Sequence, residues 1–168
     1  DRSLIVTPFF HTFGYKAGII ASVIQGSTMV PEPVFDVPTV LRRVSEESIS
    51  MLPGPPTLYL SILNHPDREN YDLSSLRLAV TGAAAVPVEM INRMRTELTF
   101  ETILTAYGLT ESTGTVSMCR PGDDPEIISS TSGRAIPDVE VRIVGGDNQE
   151  LSCGEQGEIV VRGYNVTQ

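Results

Sequence analysis

The sequence predicts an α/β protein: a layered α/β unit with a largely parallel sheet over residues 1–125, followed by the start of a small antiparallel β unit over residues 126–168. Two observations predict this fold. Short apolar runs alternate with helical patterns up to about residue 125, as strands and helices do in a layered sheet. Beyond that point apolar and polar residues alternate with a period of two. We therefore expect no helix after Asp123.

The first three elements lie near the start of the chain. Residues 4–6 are an apolar run that predicts a buried strand. Residues 17–24 are apolar on most sides and Gly26 follows as a stop signal, so we expect a buried helix there. Residues 28–30 predict the second strand, which two prolines end.

The next elements continue the alternation. Asp36 and Pro38 are a helix-start signal. The apolar face of this helix consists of Val40, Leu41 and Val44. Residues 49–52 predict a third strand, and a proline-rich turn leads from it into a short helix at residues 58–63.

The last element pair of the α/β unit contains a conspicuous turn. Residues 78–80 predict a fourth strand, which runs into small residues at 81–85. Pro87 then opens a helix, and Ile103 begins a fifth strand. The apolar face of the helix consists of Val88, Ile91, Met94 and Leu98.

The β unit shows a hairpin pattern. Residues 139–144 alternate between apolar and polar, residues 145–148 form a glycine-rich turn signal, and residues 158–161 predict a second strand. We expect these two runs to pair as antiparallel strands.

Composition excludes some classes of partner. The chain has 12 Lys and Arg against 21 Asp and Glu, a formal net charge of −9. Its basic residues are dispersed, whereas nucleic-acid binding needs them clustered, so we expect no nucleic-acid partner. No apolar run approaches the ~20 residues of a membrane-spanning helix, so no transmembrane segment is predicted.

The two cysteines, Cys119 and Cys153, match no metal-ligand spacing. A single pair is also too weak a signal to predict a disulfide. We interpret both as buried small hydrophobic residues in a reducing compartment, which predicts a cytoplasmic protein.

Two candidate sites directly follow predicted strands, where ligands bind in open α/β sheets. His11 stands in an aromatic stretch at residues 8–14, and the residues alone favour a packed core histidine over a ligand contact. The turn with Gly82, Ala83 and Ala84 lets a flat ligand or a phosphate approach the backbone, although a tight structural turn explains it as well.

A third candidate site combines Tyr107, Gly108, Thr110 and Glu111. A hydroxyl beside a carboxylate can hold a phosphate-bound Mg²⁺, and an aromatic face can stack on a purine. An exposed turn with a capping threonine is the alternative. Since three candidate sites follow strands at the same kind of sheet edge, we expect one shared cleft for a nucleotide-like ligand and a metal.

These segments, in order, resemble the adenylate-forming superfamily of acyl-CoA synthetases, peptide-synthetase adenylation domains and beetle luciferases. Residues 107–111, Y-G-L-T-E, are similar to the family's YGxTE signature. The other matches are the aromatic-histidine segment at 8–14, the T-G-A-A turn at 81–84 and G-E-I at 157–159. The resemblance covers essentially the whole chain.

The resemblance implies how the nucleotide binds. Tyr107 would stack on adenine, with Gly82, Ala83 and Ala84 as the opposite wall. Gly108 is counted with the cofactor-binding residues and would lie against the acyl group.

The resemblance also implies three catalytic residues, Thr110, Glu111 and His11. Thr110 would contact the nucleotide phosphate, Glu111 would ligate Mg²⁺, and His11 would line the acyl pocket beside the carboxylate. The implied ligands are ATP or AMP, Mg²⁺, coenzyme A and a carboxylic acid. In the family, the acid attacks the α-phosphate of ATP to give acyl-AMP, and a thiol then takes the acyl group.

Within the superfamily the resemblance favours acyl-CoA ligases of the fatty-acid type. Residues 9–14 and 52–57 read like bacterial fatty-acid or steroid-degradation CoA ligases. Residues 118–124 are similar to actinobacterial ligases that activate the propanoate side chain of partly degraded steroid rings.

The chain begins at Asp1 and ends just after a predicted strand, so we expect it to be a segment of a longer protein. The resemblance implies a phosphate loop upstream and a mobile C-terminal domain downstream. We expect the 168 residues alone to catalyse no adenylation and to associate through uncovered strand edges, and a homo-oligomeric parent stays open.

Two alternatives stay open at this point. One is an amino-acid adenylation domain, which usually supplies an acidic residue for the substrate amine in the aromatic segment, where this chain has none. The other is a nonenzymatic α/β binding domain, against which an intact Thr110 and Glu111 beside Tyr107 argue.

Overall fold

The computed structural model describes residues 1–167, which form a large and a small β-sheet. The large sheet has seven strands in the order β2-β1-β3-β4-β5-β6-β7. These strands are β1 (Arg2–Ile5), β2 (Thr28–Pro31), β3 (Met51–Pro53), β4 (Leu78–Gly82), β5 (Thr102–Tyr107), β6 (Ser117–Met118) and β7 (Arg134–Ala135). Strands β1 to β5 are parallel, whereas β6 and β7 run antiparallel to their neighbours. The predicted layered α/β unit with a largely parallel sheet is confirmed.

Helices connect the parallel strands. A π-helical segment (Gly14–Ile20) continues into α1 (Ala21–Gln25), and the later helices are α2 (Val37–Glu47), α3 (Pro56–Leu63), α4 (Val88–Glu97) and α5 (Pro125–Ser130), with 3₁₀ turns at Arg68–Asn70 and Thr110–Ser112. The predicted start of α2 is confirmed, since the Asp36 carboxylate accepts a hydrogen bond from the Thr39 N–H at 3.0 Å.

The hydrophobic core lies between the sheet and helices α2, α3 and α4. Tyr59 on α3 is fully buried, and its ring packs edge-on against Phe100 with centroids 5.8 Å apart. Its hydroxyl donates to the Leu52 carbonyl at 2.5 Å and lies 3.2 Å from the Val80 carbonyl. Burial raises the pKa of Tyr59, so the hydroxyl keeps its proton. This contact ties α3 to the middle of β3 and β4.

The small sheet confirms the predicted antiparallel unit. It pairs β8 (Val139–Val144) with β9 (Glu158–Gly163), with Val139 opposite Gly163 and Val144 opposite Glu158. The Asn148 N–H donates to the Gly145 carbonyl at 3.0 Å and closes the predicted turn after β8.

The expectation that no helix follows Asp123 was wrong, because Pro125–Ser130 forms α5. Pro125 occupies the first turn, where proline is favoured, but six residues are too few to show a helical period. Helix α5 contacts α4, and β7 after it joins the large sheet. The large sheet therefore extends to Ala135, while the division into two domains near residue 125 stays a prediction.

The helix predicted at residues 17–24 exists, but its end is not buried. Val23 and Ile24 are 65% and 74% exposed. The helix approaches the sheet closely at Gly18, because a Cβ there would lie 2.8 Å from Ile5 Cγ2. The opposite side of the helix is exposed. Met29 on the edge strand β2 is exposed as well. Association of the isolated chain through these side chains stays a prediction.

The cysteines differ from each other. Cys119 is buried as predicted, whereas the prediction for Cys153 was wrong, because Cys153 lies exposed in the connection between β8 and β9. Within residues 1–167, each helix is too short or too polar to cross a membrane.

Candidate functional site

The three candidate segments meet at one edge of the large sheet. Strands β1, β4 and β5 are parallel, so their carboxyl ends point the same way, and only β3 separates β1 from β4. The turn after β4 lies beside the end of β5, because Gly82 is in register with Ala106. The topology thus brings together residues more than 90 positions apart in the chain, from His11 to Glu111.

The turn after β4 has no room for side chains on its inner side. A Cβ on Gly82 would lie 2.5 Å from the Ala106 carbonyl oxygen, so only glycine fits there. Ala83 adopts a left-handed φ of 67°, and Ala83 and Ala84 are exposed. An exposed backbone without bulky side chains lets a flat ligand approach closely.

The loop after β5 folds tightly back on itself. A Cβ on Gly108 would lie 2.3 Å from the Gly114 carbonyl oxygen, and the Gly114 N–H donates to the Leu109 carbonyl at 2.8 Å. The Ser112 hydroxyl accepts from the Leu109 N–H at 2.9 Å. Thr110 and Glu111 are exposed on this 3₁₀ turn.

His11 lies exposed at the start of the helical segment after β1, so the expectation of a packed core histidine was wrong. Its Nδ1 accepts a hydrogen bond from the Phe13 N–H at 3.1 Å. Since Nδ1 acts as an acceptor, the proton of the neutral ring sits on Nε2. The aromatic neighbours do not enclose the ring, because Phe10 is 94% exposed.

Two cavities open at this edge. The cavity that we call the His11 cavity has a volume of about 360 Å³ and contains His11, Thr110 and Glu111 in its wall. The cavity that we call the Tyr107 cavity has a volume of about 580 Å³ and contains Tyr107 and Ala84 in its wall. Both volumes fall in the range of small-molecule sites.

The two cavities adjoin along a shared set of wall residues, which we call the partition. Four residues belong to the walls of both: Gly82, Ala83, Ala106 and Gly108. The candidate residues therefore divide into an aromatic side and a hydroxyl–carboxylate side, with the small residues between them. An elongated ligand with a flat end and an anionic end can span the partition.

The G-E-I segment at residues 157–159, the fourth match to the family, belongs to neither cavity wall. A Cβ on Gly157 would lie 2.4 Å from the Val144 carbonyl oxygen, which is a packing reason for glycine where β9 meets β8. The structure therefore places this segment in the small sheet and away from the other three.

Several residues of the cavity walls were missed from the sequence. Lys16 and Ala17 line the His11 cavity together with Phe13 of the predicted aromatic stretch, and Phe13 and Ala17 are separated by one helical turn. The predicted helix began too late to reveal this spacing. Residues 128–132 line the Tyr107 cavity and were missed because α5 was missed. The π-helical geometry of the first segment is itself a frequent mark of functional sites.

The site fits a metal ion that arrives with its ligand. Among residues 1–167 there is no group of three histidine, cysteine or acidic side chains that could hold a metal by itself. Thr110 and Glu111 offer one hydroxyl and one carboxylate beside each other. Mg²⁺ typically uses one or two carboxylates and completes its shell with phosphate oxygens and water.

One further polar group is buried beside this region. Thr81 is fully buried in the wall of the His11 cavity, and its hydroxyl has no hydrogen-bond partner among residues 1–167. An unpaired buried hydroxyl is costly, and because this oxygen has no accessible surface we assign it no contact to a ligand.

Comparison with known proteins gives a consistent result. The family model described as "AMP-binding enzyme" matches residues 1–168. The chain is 58% identical over 166 residues to the 3-[(3aS,4S,7aS)-7a-methyl-1,5-dioxo-octahydro-1H-inden-4-yl]propanoyl:CoA ligase of Rhodococcus jostii, covering 99% of the chain and 30% of that protein. It is 49% identical to the ligase of the same name from Mycobacterium tuberculosis, covering 99% of the chain and 31% of that protein. The chain thus spans about a third of the length of these relatives.

Solved structures show the same architecture. The anthranilate CoA ligase AuaEII in complex with anthranoyl-AMP superposes with a TM-score of 0.89 at 27% identity, covering 99% of the chain and 32% of that structure. O-succinylbenzoate coenzyme A synthetase from Bacillus subtilis, in complex with ATP and magnesium, superposes with a TM-score of 0.81 at 29% identity, covering 100% of the chain and 34% of that structure.

Proposed function

Because the chain belongs to the AMP-binding enzyme family, whose model matches all of it, we propose that a complete protein carrying this sequence is an acyl-CoA ligase. It uses ATP to convert a carboxylic acid to acyl-AMP and passes the acyl group to coenzyme A. The observation that carries this proposal is the pair of cavities that meet across Gly82 and Gly108, one with an aromatic wall and one with a hydroxyl and a carboxylate.

The nucleotide is proposed to lie across the partition between the cavities. Tyr107 stacks on the adenine, and the exposed backbone at Gly82, Ala83 and Ala84 forms the facing wall. Thr110 contacts the phosphate from the other side. The support for this arrangement is the division of the candidate residues between the two cavities.

Magnesium is proposed to be held by Glu111 together with the phosphates. When bound, the ion neutralises negative charge on the phosphates. The contribution of the chain is to present the Glu111 carboxylate and the Thr110 hydroxyl on one 3₁₀ turn at the cavity wall.

The reaction requires no nucleophile from the protein. An oxygen of the substrate carboxylate attacks the α-phosphorus of ATP, the bond to the bridging oxygen breaks, and pyrophosphate leaves. The thiol sulfur of coenzyme A, on losing its proton, then attacks the acyl carbon, and AMP leaves with the electron pair of the carbon–oxygen bond. Catalysis by positioning and electrostatics suffices for phosphorus chemistry of this type. His11, whose Nε2 carries the ring proton, donates to the carboxylate of the acid and holds it in place.

The substrate is proposed to be a bulky acyl group with a polar atom far from its carboxylate. The two relatives of highest identity reported above are ligases for a bicyclic diketone that bears a propanoyl chain. Lys16 supports this class, because it is the only lysine of the sequence and lines an otherwise mainly apolar cavity. The ammonium group of Lys16 can donate a hydrogen bond to a ketone oxygen. Phe13, Ala17 and Met118 supply apolar wall.

The protein is further proposed to act in the cytoplasm. Both cysteines are free, as expected in a reducing compartment.

The first test is carboxylate-dependent ATP–pyrophosphate exchange by the complete protein. Fatty, aryl, steroid-side-chain and amino acids are compared, and we expect exchange with the steroid-side-chain acids. Exchange with amino acids alone would replace the ligase by an amino-acid adenylation domain. A folded protein that exchanges with none of these acids would contradict the proposal.

The same assay tests the role of Glu111. Removing one group that stabilises charge in the transition state typically lowers the rate by about 100-fold. Glu111→Gln should therefore lower the rate of ATP–pyrophosphate exchange by about that factor. Glu101→Gln is the matched control, since Glu101 is exposed and outside both cavity walls. Equal rates for the two variants would remove Glu111 from the site.

A further inference from the structure

The loop that carries Thr110 and Glu111 is held from outside by the segment after β9. The Thr167 N–H donates to the Glu111 carbonyl at 2.8 Å. This segment directly follows the small sheet, more than 50 residues further along the chain. A junction between this segment and the loop after β5 therefore ends on the residue proposed to hold magnesium.

Asn165 makes the central contacts of this junction. Its side-chain Nδ2 donates to the Ser112 carbonyl at 3.1 Å and to the Thr115 carbonyl at 2.8 Å. Asn165 is 6% exposed, so water cannot easily replace its amide group as the hydrogen-bond donor to these two carbonyls. The two acceptors flank the tight return of the loop, and one amide group thereby sets the distance between them.

Thr113 completes the junction. It has a left-handed φ of 58°, which a β-branched residue rarely adopts. Its hydroxyl donates to the Asn165 backbone carbonyl. Such a conformation persists only where surrounding contacts hold it, and here the partner is again Asn165.

The Asn165 amide is oriented by its donors alone. Its Oδ1 is buried and has no partner among residues 1–167. Both hydrogen bonds of this amide group go to loop carbonyls, and its acceptor makes none within the described residues. The side-chain contacts of Asn165 therefore stabilise the loop. Thr110 and Glu111, in contrast, are exposed, so their placement depends on the backbone of the loop that Asn165 holds.

We propose that Asn165 is a positioning residue that holds the Thr110–Glu111 turn at the wall of the His11 cavity and so sets the affinity of the enzyme for magnesium–ATP. The role rests on the proposed function, because it acts through Glu111. Asn165 belongs to neither cavity wall and contacts the His11 cavity only through the backbone of wall residue Thr115, so its effect passes through the loop backbone.

The decisive variant is Asn165→Asp in the complete protein. It preserves the shape of the side chain but replaces both N–H donors by an acceptor that faces two carbonyl oxygens. We expect KM for magnesium–ATP in ATP–pyrophosphate exchange to rise by about tenfold or more, the effect of losing two hydrogen bonds. Asn92→Asp on the exposed face of α4 makes the same chemical change away from the site and should leave KM unchanged.

A second variant tests the same proposal if Asn165→Asp fails to fold. Thr113→Val replaces the hydroxyl that binds the Asn165 carbonyl by a methyl group, and it should also raise KM for magnesium–ATP. A fall in thermal stability without a change of KM in either folded variant would overturn the proposal and leave Asn165 a purely structural link.

A readout without turnover separates this inference from the proposed function. Amide hydrogen exchange of the peptide spanning residues 110–116 should accelerate in Asn165→Asp and not in Asn92→Asp. If the wild-type protein showed no ATP–pyrophosphate exchange but the peptide still responded, the proposed function would fail while the hold on the loop would stand. An unchanged peptide would contradict the hold itself.

Discussion

Replacing Gly108 by alanine tests whether the loop after β5 must keep its position for adenylation. A Cβ at this position would lie 2.3 Å from the Gly114 oxygen, 2.5 Å from the Gly114 carbonyl carbon and 2.7 Å from Thr115 Cα. All three atoms belong to backbone, so no side-chain rotation relieves the overlap. Reaching an ordinary contact of 3.4 Å from the shortest of these distances requires a shift of about 1 Å.

This shift has two expected consequences. Overpacking of this kind costs about 1–3 kcal/mol of stability. A displacement of about 1 Å in a positioning element can also cost about 100-fold in rate, because the shifted backbone leads directly into Thr110 and Glu111. We therefore expect Gly108→Ala to fold with reduced thermal stability and to lose about 100-fold in kcat/KM for ATP–pyrophosphate exchange.

The matched control is Gly146→Ala. Gly146 lies in the turn after β8, where an added Cβ meets nothing within 4 Å. Both variants are measured in the complete protein by exchange kinetics and by thermal unfolding. If Gly108→Ala kept the kcat/KM of Gly146→Ala, the loop could move without affecting the chemistry, and the argument from close packing would be refuted.

Three further predictions concern stability and specificity. Tyr59→Phe removes a buried hydroxyl that donates to the Leu52 carbonyl, so we expect about 1–3 kcal/mol of destabilisation in chemical unfolding; an unchanged midpoint would contradict the role of this contact. The hydrogen bond from Arg93 lowers the pKa of Glu97, so its stabilisation is present above pH ~4.3, the ordinary glutamate value, and is lost as the pH falls through the lowered pKa. Glu97→Gln should therefore destabilise at about pH 7 and less at about pH 3, and an equal penalty at both would exclude this ion pair as the cause. Lys16→Met should weaken activation of keto acids by about tenfold relative to fatty acids, as expected for one charge-assisted hydrogen bond; parallel losses for both acids would argue against a contact to the ketone.

Local signals in the sequence predicted most of the fold. The Asp36 cap and the apolar spacing after it identify α2, because capping and periodicity are properties of a few neighbouring residues. Helix α5 was missed for the opposite reason. It has six residues and ends in serines, so neither its period nor its composition distinguishes it from a loop. The burial of Val23 and Ile24 was misjudged because an apolar run does not reveal which of its sides packs against the sheet.

The site was predictable to the extent that its residues follow strands. Parallel strands end at one edge of a sheet, so Gly82 and Tyr107 were expected to lie together, and the pairing of β4 with β5 agrees with that expectation. Their roles towards nucleotide and metal stay predictions. The role of Asn165 could not be predicted from the sequence. Its hydrogen-bond partners lie 50 and 53 positions earlier in the chain, and no local sequence pattern indicates such a contact.

The change of strand direction between β5 and β6 has a consequence for the site. A connection between parallel strands needs a crossover of a dozen or more residues, usually a helix that covers the sheet. Because β6 returns antiparallel, residues 108–116 suffice, and the connection contains a single 3₁₀ turn in place of a crossover helix. The short return therefore places Gly108, Thr110 and Glu111 directly at the cavity walls, whereas another parallel strand would require a long crossover between β5 and its neighbour.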